Sequence, residues 1–272
     1  MEIRIAYVVG VVCLLVSGQC GLIFAAEPRG PMVLSATAVG LDNRDCKEFA
    51  LREPIWVRFT MENSSDVKAT AALPGEPGYG VQIEPVTKDA NLKSRAVEKR
   101  EFTERIIRTR HFEPKAKETF EVLLADWVDI NGEGTFKLEA KLRLLDEKGR
   151  PAQELKTEFS ITIKGQLDKK GLDALMKRLE ALYSSKRDAL DRYRALDSVR
   201  AIRAPEVLPF LAKAVAEKSE ITQGLAVQAL SVLPYPEVIP LLKKAAESRF
   251  ATVREAAQAE LDRREKANPG PS

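Results

Sequence analysis

The sequence has very few of the side chains that most catalytic and metal-binding motifs require. It contains one histidine and three cysteines in 272 residues. Two of the cysteines, Cys13 and Cys20, fall in an apolar N-terminal stretch, so a chain cleaved after that stretch retains only Cys46. Such a chain can form no intramolecular disulfide, and it has almost no material for a zinc site or a histidine-based catalytic triad. We interpret Cys46 as a small residue on a strand or its flank.

The sequence also lacks a strong excess of either charge. It has 43 basic and 40 acidic residues, a formal net charge of +3, and 44% apolar residues. This balance is not typical of a polyanion-binding protein, so we do not expect a nucleic-acid partner. The 15 glycines and 15 prolines exclude a collagen-like chain and fit a soluble globular protein of one large domain or two smaller ones.

Residues 1–26 have the pattern of a targeting segment. Arg4 is followed by 22 uncharged residues, and Ala25 and Ala26 provide small residues for cleavage. This pattern predicts a signal peptide and a periplasmic or secreted protein. An uncharged stretch of this length could also cross a hydrocarbon layer of roughly 30 Å. An N-terminal membrane anchor, with membrane contact through the uncleaved segment, is therefore the alternative.

Residues 31–164 alternate between apolar and polar side chains, as strands with one buried face do. Between 135 and 144 every even position is apolar, and most odd positions are charged. Similar alternation covers 55–61, 120–124 and 155–163, and weaker candidates cover 33–39, 67–72, 79–83 and 105–112. With turn residues between these runs, the pattern predicts seven or eight strands in an antiparallel β-sandwich.

Part of this region resembles a known family. Residues 53–65, which read EPIWVRFTMENSS, are similar to the opening strand and turn of many bacterial extracytoplasmic immunoglobulin-like domains. Residues 112–120 and 134–138 resemble their later strands. The resemblance implies an immunoglobulin-like β-sandwich, and bacterial intracellular proteinase inhibitors are a more distant likeness. Asn63-Ser64-Ser65 has the form of a glycosylation acceptor, but we interpret it as a turn at the end of a strand.

The period changes after a predicted linker at 165–171. From 172 to 267 apolar residues recur at helical spacing, and the last residues, 268–272, are predicted to be a disordered tail. The segment 205–214 matches 236–245 at an offset of 31 residues, which predicts repeated pairs of helices. The first helix, near Leu172, does not follow this register, so it is a candidate cap.

The repeats resemble HEAT repeats, which implies a short α-solenoid. Pro209 and Pro240 match the proline of the first helix in that family, and Val253 and Arg254 match residues of the second. Each proline is expected either to kink its helix or to mark the true start of the helix. Gln223 departs from the pattern, because it stands where the family has arginine.

No residue or motif is predicted to be catalytic, to bind a cofactor or to bind a metal. His111 has no nucleophile motif nearby and is interpreted as an ordinary strand histidine. The acidic and amide side chains near residues 126–133 do not have the spacing of an EF-hand and are interpreted as a turn. Four arginines of the helical region are interpreted as part of a solvated helix face: Arg192, Arg194, Arg200 and Arg203.

A local excess of positive charge marks the best candidate for a partner-binding surface. Residues 93–117 contain nine basic and four acidic side chains, which suits anionic lipid, an acidic polymer or an acidic protein. The alternative interpretation is a solvated strand face. The candidate partner-binding residues are Arg100, Arg105, Arg108 and Arg110, together with Tyr79 in a glycine- and proline-rich loop.

Together these features predict a β-sandwich followed by an α-solenoid that acts outside the cytoplasm. We expect a non-enzymatic protein-binding or scaffold module with no cofactor and with one or more protein partners. Two alternatives stay open. The protein could inhibit an extracytoplasmic enzyme through its sandwich loops, or it could be an accessory subunit of an envelope enzyme complex.

Overall fold

A computed structural model describes residues 32–74, 80–95, 107–145, 151–185 and 189–267. In these residues eleven strands are followed by six helices. The strands are β1 (Met32–Val39), β2 (Glu48–Leu51), β3 (Trp56–Asn63), β4 (Ala69–Pro74), β5 (Val81–Pro85), β6 (Leu92–Ser94), β7 (Ile107–Phe112), β8 (Lys117–Leu123), β9 (Val128–Ile130), β10 (Gly134–Leu145) and β11 (Pro151–Gln166). The helices are α1 (Lys169–Tyr183), α2 (Ala189–Ile202), α3 (Leu208–Val215), α4 (Glu220–Ser231), α5 (Val238–Ala246) and α6 (Ala251–Ala267). The predicted order of a β-sheet region before a helical region is confirmed.

The strands form two larger sheets and one small one. One sheet has the order β1-β3-β8, the second has the order β2-β11-β10-β4-β7 with β5 also on β10, and β6 pairs with β9. The pairs are antiparallel, except that β2 runs parallel to β11. Both larger sheets contribute to one apolar core, in which Phe59 and Met61 of β3 meet the residues of β10 and β11. The alternating side chains of these strands therefore bury one face in a shared core.

The helices stack in pairs. Helix α1 contacts α2, α3 contacts α4, and α5 contacts α6, while α2, α4 and α6 contact one another in succession. Pro209 is the second residue of α3 and Pro240 is the third residue of α5. In the first turn of a helix the missing N–H costs nothing, because that group has no acceptor within the helix. The prolines therefore mark the starts of their helices rather than kinks.

A side-chain bond recurs from one helix pair to the next. The side-chain amide of Gln223 donates to the carbonyl oxygen of Glu217 at 2.6 Å, and Arg254 donates to the carbonyl oxygen of Ser248 at 2.9 Å. Donors and acceptors are both 31 residues apart, which is the repeat offset. Gln223 therefore makes the same kind of bond as the arginine that it replaces.

Asn63 lies at the end of β3 and is fully buried. Its side-chain nitrogen is within hydrogen-bond distance of the carbonyl oxygens of Val67, Phe112 and Glu113, and its side-chain oxygen accepts from Ser65. The interpretation of this segment as a strand-end turn is confirmed. Because the amide is buried and bonded, it is not a surface acceptor for a glycan.

The junction between strands and helices is shorter than the predicted linker at 165–171. Strand β11 continues through Gln166, and α1 begins at Lys169 with Asp168 as its N-cap. Gly165 and Gln166 of the predicted linker belong to the end of β11, where Gly165 adopts a φ of 67° and the pairing with β2 is irregular. Residues 169–171 form the start of α1. Strands and helices belong to one compact unit.

The predicted segments 1–26 and 268–272 lie outside the described residues. Within the described part of the chain, none of the helices has the length and apolar character needed to cross a membrane. Cys46 lies two residues before β2, is partly buried, and donates from Sγ to the carbonyl oxygen of Glu48 at 3.0 Å. Its interpretation as a residue on a strand flank is confirmed.

Candidate functional site

Helix α2 packs against the β-sheet region around Trp56, the first residue of β3. The Trp56 indole is 7% exposed, and its N–H donates to the Ser198 hydroxyl of α2 at 3.0 Å. Val39 and Leu123 form a buried apolar cluster with it, and Ala201 of α2 packs on this cluster. A tryptophan that buries its ring and satisfies its N–H fixes one helix face against one sheet edge.

Arg194 of α2 extends this contact. Its side chain is 12% exposed, and its guanidinium lies 4.7 Å from the centroid of the Trp56 ring. It donates to the carbonyl oxygen of Gly40 at 2.8 Å and forms an ion pair with Glu121 of β8. Burial lowers the pKa of Arg194, and the Glu121 carboxylate opposes this shift. Glu121 is also bound by Arg58 of β3 at 2.9 Å, so this carboxylate joins the helix to two strands.

Two further arginines at the end of α2 bind carboxylates of the β-sheet region. Arg200 pairs with Asp126 at 3.0 Å, and Arg203 pairs with Asp129 at 2.8 Å. Asp129 is also bound by Arg95 at 3.1 Å. Two acidic residues of the predicted turn at 126–133, Asp126 and Asp129, are therefore engaged by arginines. Among the residues that the structure describes, no three metal-ligating side chains come together.

The predicted solvated face for the helical arginines is wrong. Arg194, Arg200 and Arg203 lie against the sheets, and Arg192 binds Glu217 within the helical region at 3.5 Å. Balancing acidic residues on the same helix suggested exposure, but the carboxylates that pair with three of these arginines come from more than 70 residues earlier in the chain. Three of these four arginines therefore pair with carboxylates of the β-sheet region.

The Trp56–Ser198 bond gives a direct measure of this contact. We expect Trp56→Phe and Ser198→Ala each to lower the free energy of unfolding by about 1 kcal/mol. In a double-mutant cycle the two changes should be less than additive by about 0.5–1 kcal/mol, since both remove the same hydrogen bond. Urea unfolding of the four proteins measures this coupling. Full additivity would show that the bond does not connect the two regions in solution.

Beside these contacts the β-sheet region and the helices enclose a cleft of about 510 Å³. Leu51 at the end of β2 and Arg52 directly after it line the cleft. Ile130 at the end of β9 and Asn131 directly after it line it as well. Tyr235, which follows α4, lines the helical side, and its hydroxyl donates to the carbonyl oxygen of Arg203 at 2.7 Å. Pockets of a few hundred Å³ with mixed apolar and polar walls are typical of binding sites.

Two arginines of this cleft have unusual backbone angles. Arg52 has a φ of 72° and Arg203 has a φ of 46°, in the left-handed region that favours glycine. Arg203 directly follows the last residue of α2, a position where helices often end in glycine. A non-glycine residue with this backbone conformation destabilises the fold by about 1–2 kcal/mol. Such strained positions cluster at functional sites.

Only two of the predicted partner-binding residues lie among the described residues. Arg108 and Arg110 are on β7, and the exposed Arg110 pairs with Glu118 of β8 at 3.5 Å. Tyr79, Arg100 and Arg105 lie outside the described residues. The partner-binding role of these five residues stays a prediction.

His111 is on β7, opposite Thr70 of β4, and its Nδ1 lies 3.1 Å from the Thr70 hydroxyl. The predicted strand position of His111 is confirmed, and its non-catalytic interpretation stays a prediction. The residues of the cleft, in contrast, were not recognised from the sequence. The segment around Arg52 has no motif, and a positive φ leaves no sequence signal when the residue is not glycine or asparagine.

Comparison with known proteins identifies the helical part. Residues 172–262 match the family model of HEAT repeats. The helical region is HEAT-like. The match covers α2 to α5 completely, as well as most of α1 and α6. It therefore includes Arg194 and Arg200 of α2 and Arg203, which follows that helix. No curated protein matches the chain in sequence.

Solved structures give only remote likenesses. A β-glucosidase from Listeria innocua is 13% identical with a TM-score of 0.26, covering 50% of this chain and 16% of its own. A mutant Salmonella alpha-2-macroglobulin is 9% identical with a TM-score of 0.29, covering 86% of this chain and 23% of its own. The chain thus spans less than a quarter of the length of either protein, and at these TM-scores the likenesses say nothing about its fold or activity.

Proposed function

We propose that this protein is a non-enzymatic protein-binding or scaffold module that acts outside the cytoplasm. In this proposal the β-sheet region is an immunoglobulin-like sandwich and the HEAT-like helices form a short solenoid beside it. Repeat solenoids bind other proteins through extended surfaces. The match to HEAT repeats supports a protein partner, and the apolar segment before residue 27 supports export.

One observation carries the proposal: the cleft has walls from both regions, and buried contacts hold those walls together. Trp56 and the ion pairs of Arg194, Arg200 and Arg203 fix α2 on the sheets beside the cleft. A binding site fixed before its ligand arrives loses less conformational freedom on binding, which favours affinity. Only the assembled unit presents both walls, and a scaffold needs such a surface.

Site-specific crosslinking of the full chain tests this function. Benzoylphenylalanine replaces Pro234 at the exposed helical edge of the cleft, with the exposed Glu255 of α6 as the control position. In envelope extract we expect a discrete protein to crosslink at position 234, to saturate, and to be displaced by excess unlabelled protein. Absence of a saturable partner at both positions would overturn the binding function. Turnover of a substrate by the purified chain would overturn the non-enzyme assignment, and stoichiometric inhibition of a protease or hydrolase would favour the inhibitor alternative.

Export is tested by N-terminal sequencing of the protein recovered from fractionated cells. We expect a new N-terminus just after Ala25 or Ala26 in the extracytoplasmic fraction. An intact Met1 in the membrane fraction would favour an uncleaved membrane anchor over a cleaved signal peptide. An intact Met1 in the cytoplasmic fraction would overturn export.

A further inference from the structure

Arg52 lies in a tight turn at the mouth of the cleft. The backbone N–H of Glu53 donates to the carbonyl oxygen of Ala50 at 3.0 Å, and the Ala50 N–H donates to the Glu53 carboxylate at 3.0 Å. These bonds close a four-residue turn in which Arg52 is the third residue, with a φ of 72°. Glycine is the usual residue at such a position, because it adopts positive φ without steric cost. The turn therefore carries a strained arginine where glycine would be relaxed.

The carboxylates that line the cleft are already engaged. Glu53 is bonded within its own turn, and Asp129 is bound by Arg95 and Arg203. Arg52 is exposed and lies in no ion pair with any of the described residues, although it lines the cleft beside these two acids. The cleft thus presents one guanidinium that forms no ion pair with the described residues. A guanidinium binds a carboxylate through two parallel hydrogen bonds.

Apolar surface lies next to this guanidinium. Leu51, Ile130, Val232 and Tyr235 line the same cleft and are only partly buried. Partly exposed aliphatic and aromatic side chains gain free energy when a ligand removes them from water. A fitting ligand therefore carries a carboxylate and, close to it, an apolar side chain. The cleft volume of about 510 Å³ suits a few residues of a peptide.

We propose that the cleft binds a short segment of a partner protein in which an acidic side chain stands next to aliphatic or aromatic residues. The carboxylate of the segment pairs with Arg52, and the apolar side chains pack on Leu51, Ile130 and Tyr235. This inference rests on the proposed protein-binding function and specifies the chemistry of the partner. The strain at Arg52 is retained because the side chain recognises the ligand.

Peptide selection on the full chain tests this inference. A library of short random peptides displayed on phage is selected on the immobilised protein, and the most enriched peptide is synthesised with a fluorescent label. We expect enriched sequences to share Asp or Glu beside Leu, Ile, Val, Phe, Tyr or Trp. Anisotropy titrations then give the Kd for wild type, Arg52→Gly, Arg52→Glu and Arg44→Ala. Arg44 is a suitable control because its side chain is 86% exposed and does not line the cleft.

Arg52→Gly should weaken binding about tenfold or more, as expected for a lost charge-assisted pair. It should leave the thermal midpoint equal to or higher than that of wild type, because glycine relieves the strain. Arg52→Glu should weaken binding further, and Arg44→Ala should change Kd by less than about twofold. A merely structural role for Arg52 would instead lower the thermal midpoint and leave Kd unchanged.

Three results would overturn the inference: selected peptides without a carboxylate, a Kd insensitive to both Arg52 variants, or equal effects of the Arg44 control. Crosslinking of a protein at position 234 with a Kd insensitive to Arg52 would retain the binding function and reject the acidic segment. Peptide binding that depends on Arg52, without any protein partner in extract, would retain the cleft chemistry and reject the scaffold function.

Discussion

Replacing Arg194 by alanine is expected to lower the free energy of unfolding by about 2–4 kcal/mol. The change removes the ion pair with Glu121, the bond to the Gly40 carbonyl and the stacking on Trp56. Glu121 keeps Arg58 as a partner, so the loss stays at the lower end of the range for a broken buried pair. Among the contacts between α2 and the sheets, Arg194 is the residue that joins the most separate groups.

Urea unfolding followed by two signals measures this effect. The Trp127 indole donates to the Val81 carbonyl oxygen and reports on the sheets, whereas Trp56 also reports on their contact with α2. Far-ultraviolet circular dichroism is dominated by the helices. The two transitions should coincide in wild type and separate in Arg194→Ala, because the helices and sheets are then less strongly coupled. The Arg44→Ala control should stay within about 0.5 kcal/mol of wild type. Equal stability of the two variants would show that Arg194 does not couple the regions.

Replacing Glu260 by glutamine is expected to cost about 2 kcal/mol at neutral pH. The Glu260 side chain is only 8% exposed and binds Arg263 at 2.7 Å and Arg264 at 2.6 Å. Arg264 also donates to the carbonyl oxygens of Leu230 and Leu233 at the end of α4. Loss of the carboxylate charge removes the ion pair that positions Arg264. The contact that Arg264 makes between α6 and the end of α4 is therefore weakened as well.

The stability difference should depend on pH. Burial alone would raise the pKa of Glu260, but the hydrogen bonds and charges of Arg263 and Arg264 outweigh burial and hold it below its ordinary value of 4.5. Because the folded pKa is lowered, the stabilisation is fully present above the ordinary pKa and is lost as pH falls through the folded value. The gap between wild type and Glu260→Gln should therefore be constant near neutral pH and shrink below about pH 4.5.

Chemical unfolding of both proteins between neutral and acidic pH gives this gap directly. Glu255→Gln is the matched control, since Glu255 is exposed on the same helix and forms no ion pair with the described residues. It should shift stability by less than about 0.5 kcal/mol at every pH. A gap for Glu260→Gln that stays unchanged into acid would contradict a role for the ionised carboxylate.

The longer elements could be predicted from the sequence because their patterns are local. Alternation over 135–144 and 155–163 locates β10 and β11, and the 31-residue offset locates the helix pairs. Strands β2, β6 and β9 were not predicted, since three or four residues are too few to show a period. Helix α1 begins at Lys169, three residues before the predicted start at Leu172. The reason is that the N-cap at Asp168, rather than the first apolar residue, determines where the helix begins.

The candidate site could not be predicted, for a different reason. The arginines at 194, 200 and 203 are present in the sequence, but their partners Glu121, Asp126 and Asp129 lie more than 70 residues earlier. A single sequence does not indicate which residues so far apart are in contact. The sequence around Arg52 does not predict its positive φ. Only the structure shows that Arg52 forms no ion pair with the described residues. Long-range charge pairing and backbone strain are tertiary properties, and local patterns do not report them.

The short junction between strands and helices has a mechanical consequence. Only Leu167 and Asp168 separate β11 from α1, and β11 is paired with β10 along most of its length and with β2 near its end. A pulling force applied to the solenoid is therefore transmitted directly to β11, an interior strand of the six-stranded sheet, and is resisted by its hydrogen bonds to β10 and β2. Under tension the solenoid and the sheet should therefore bear the force together, because no long linker between them can extend first.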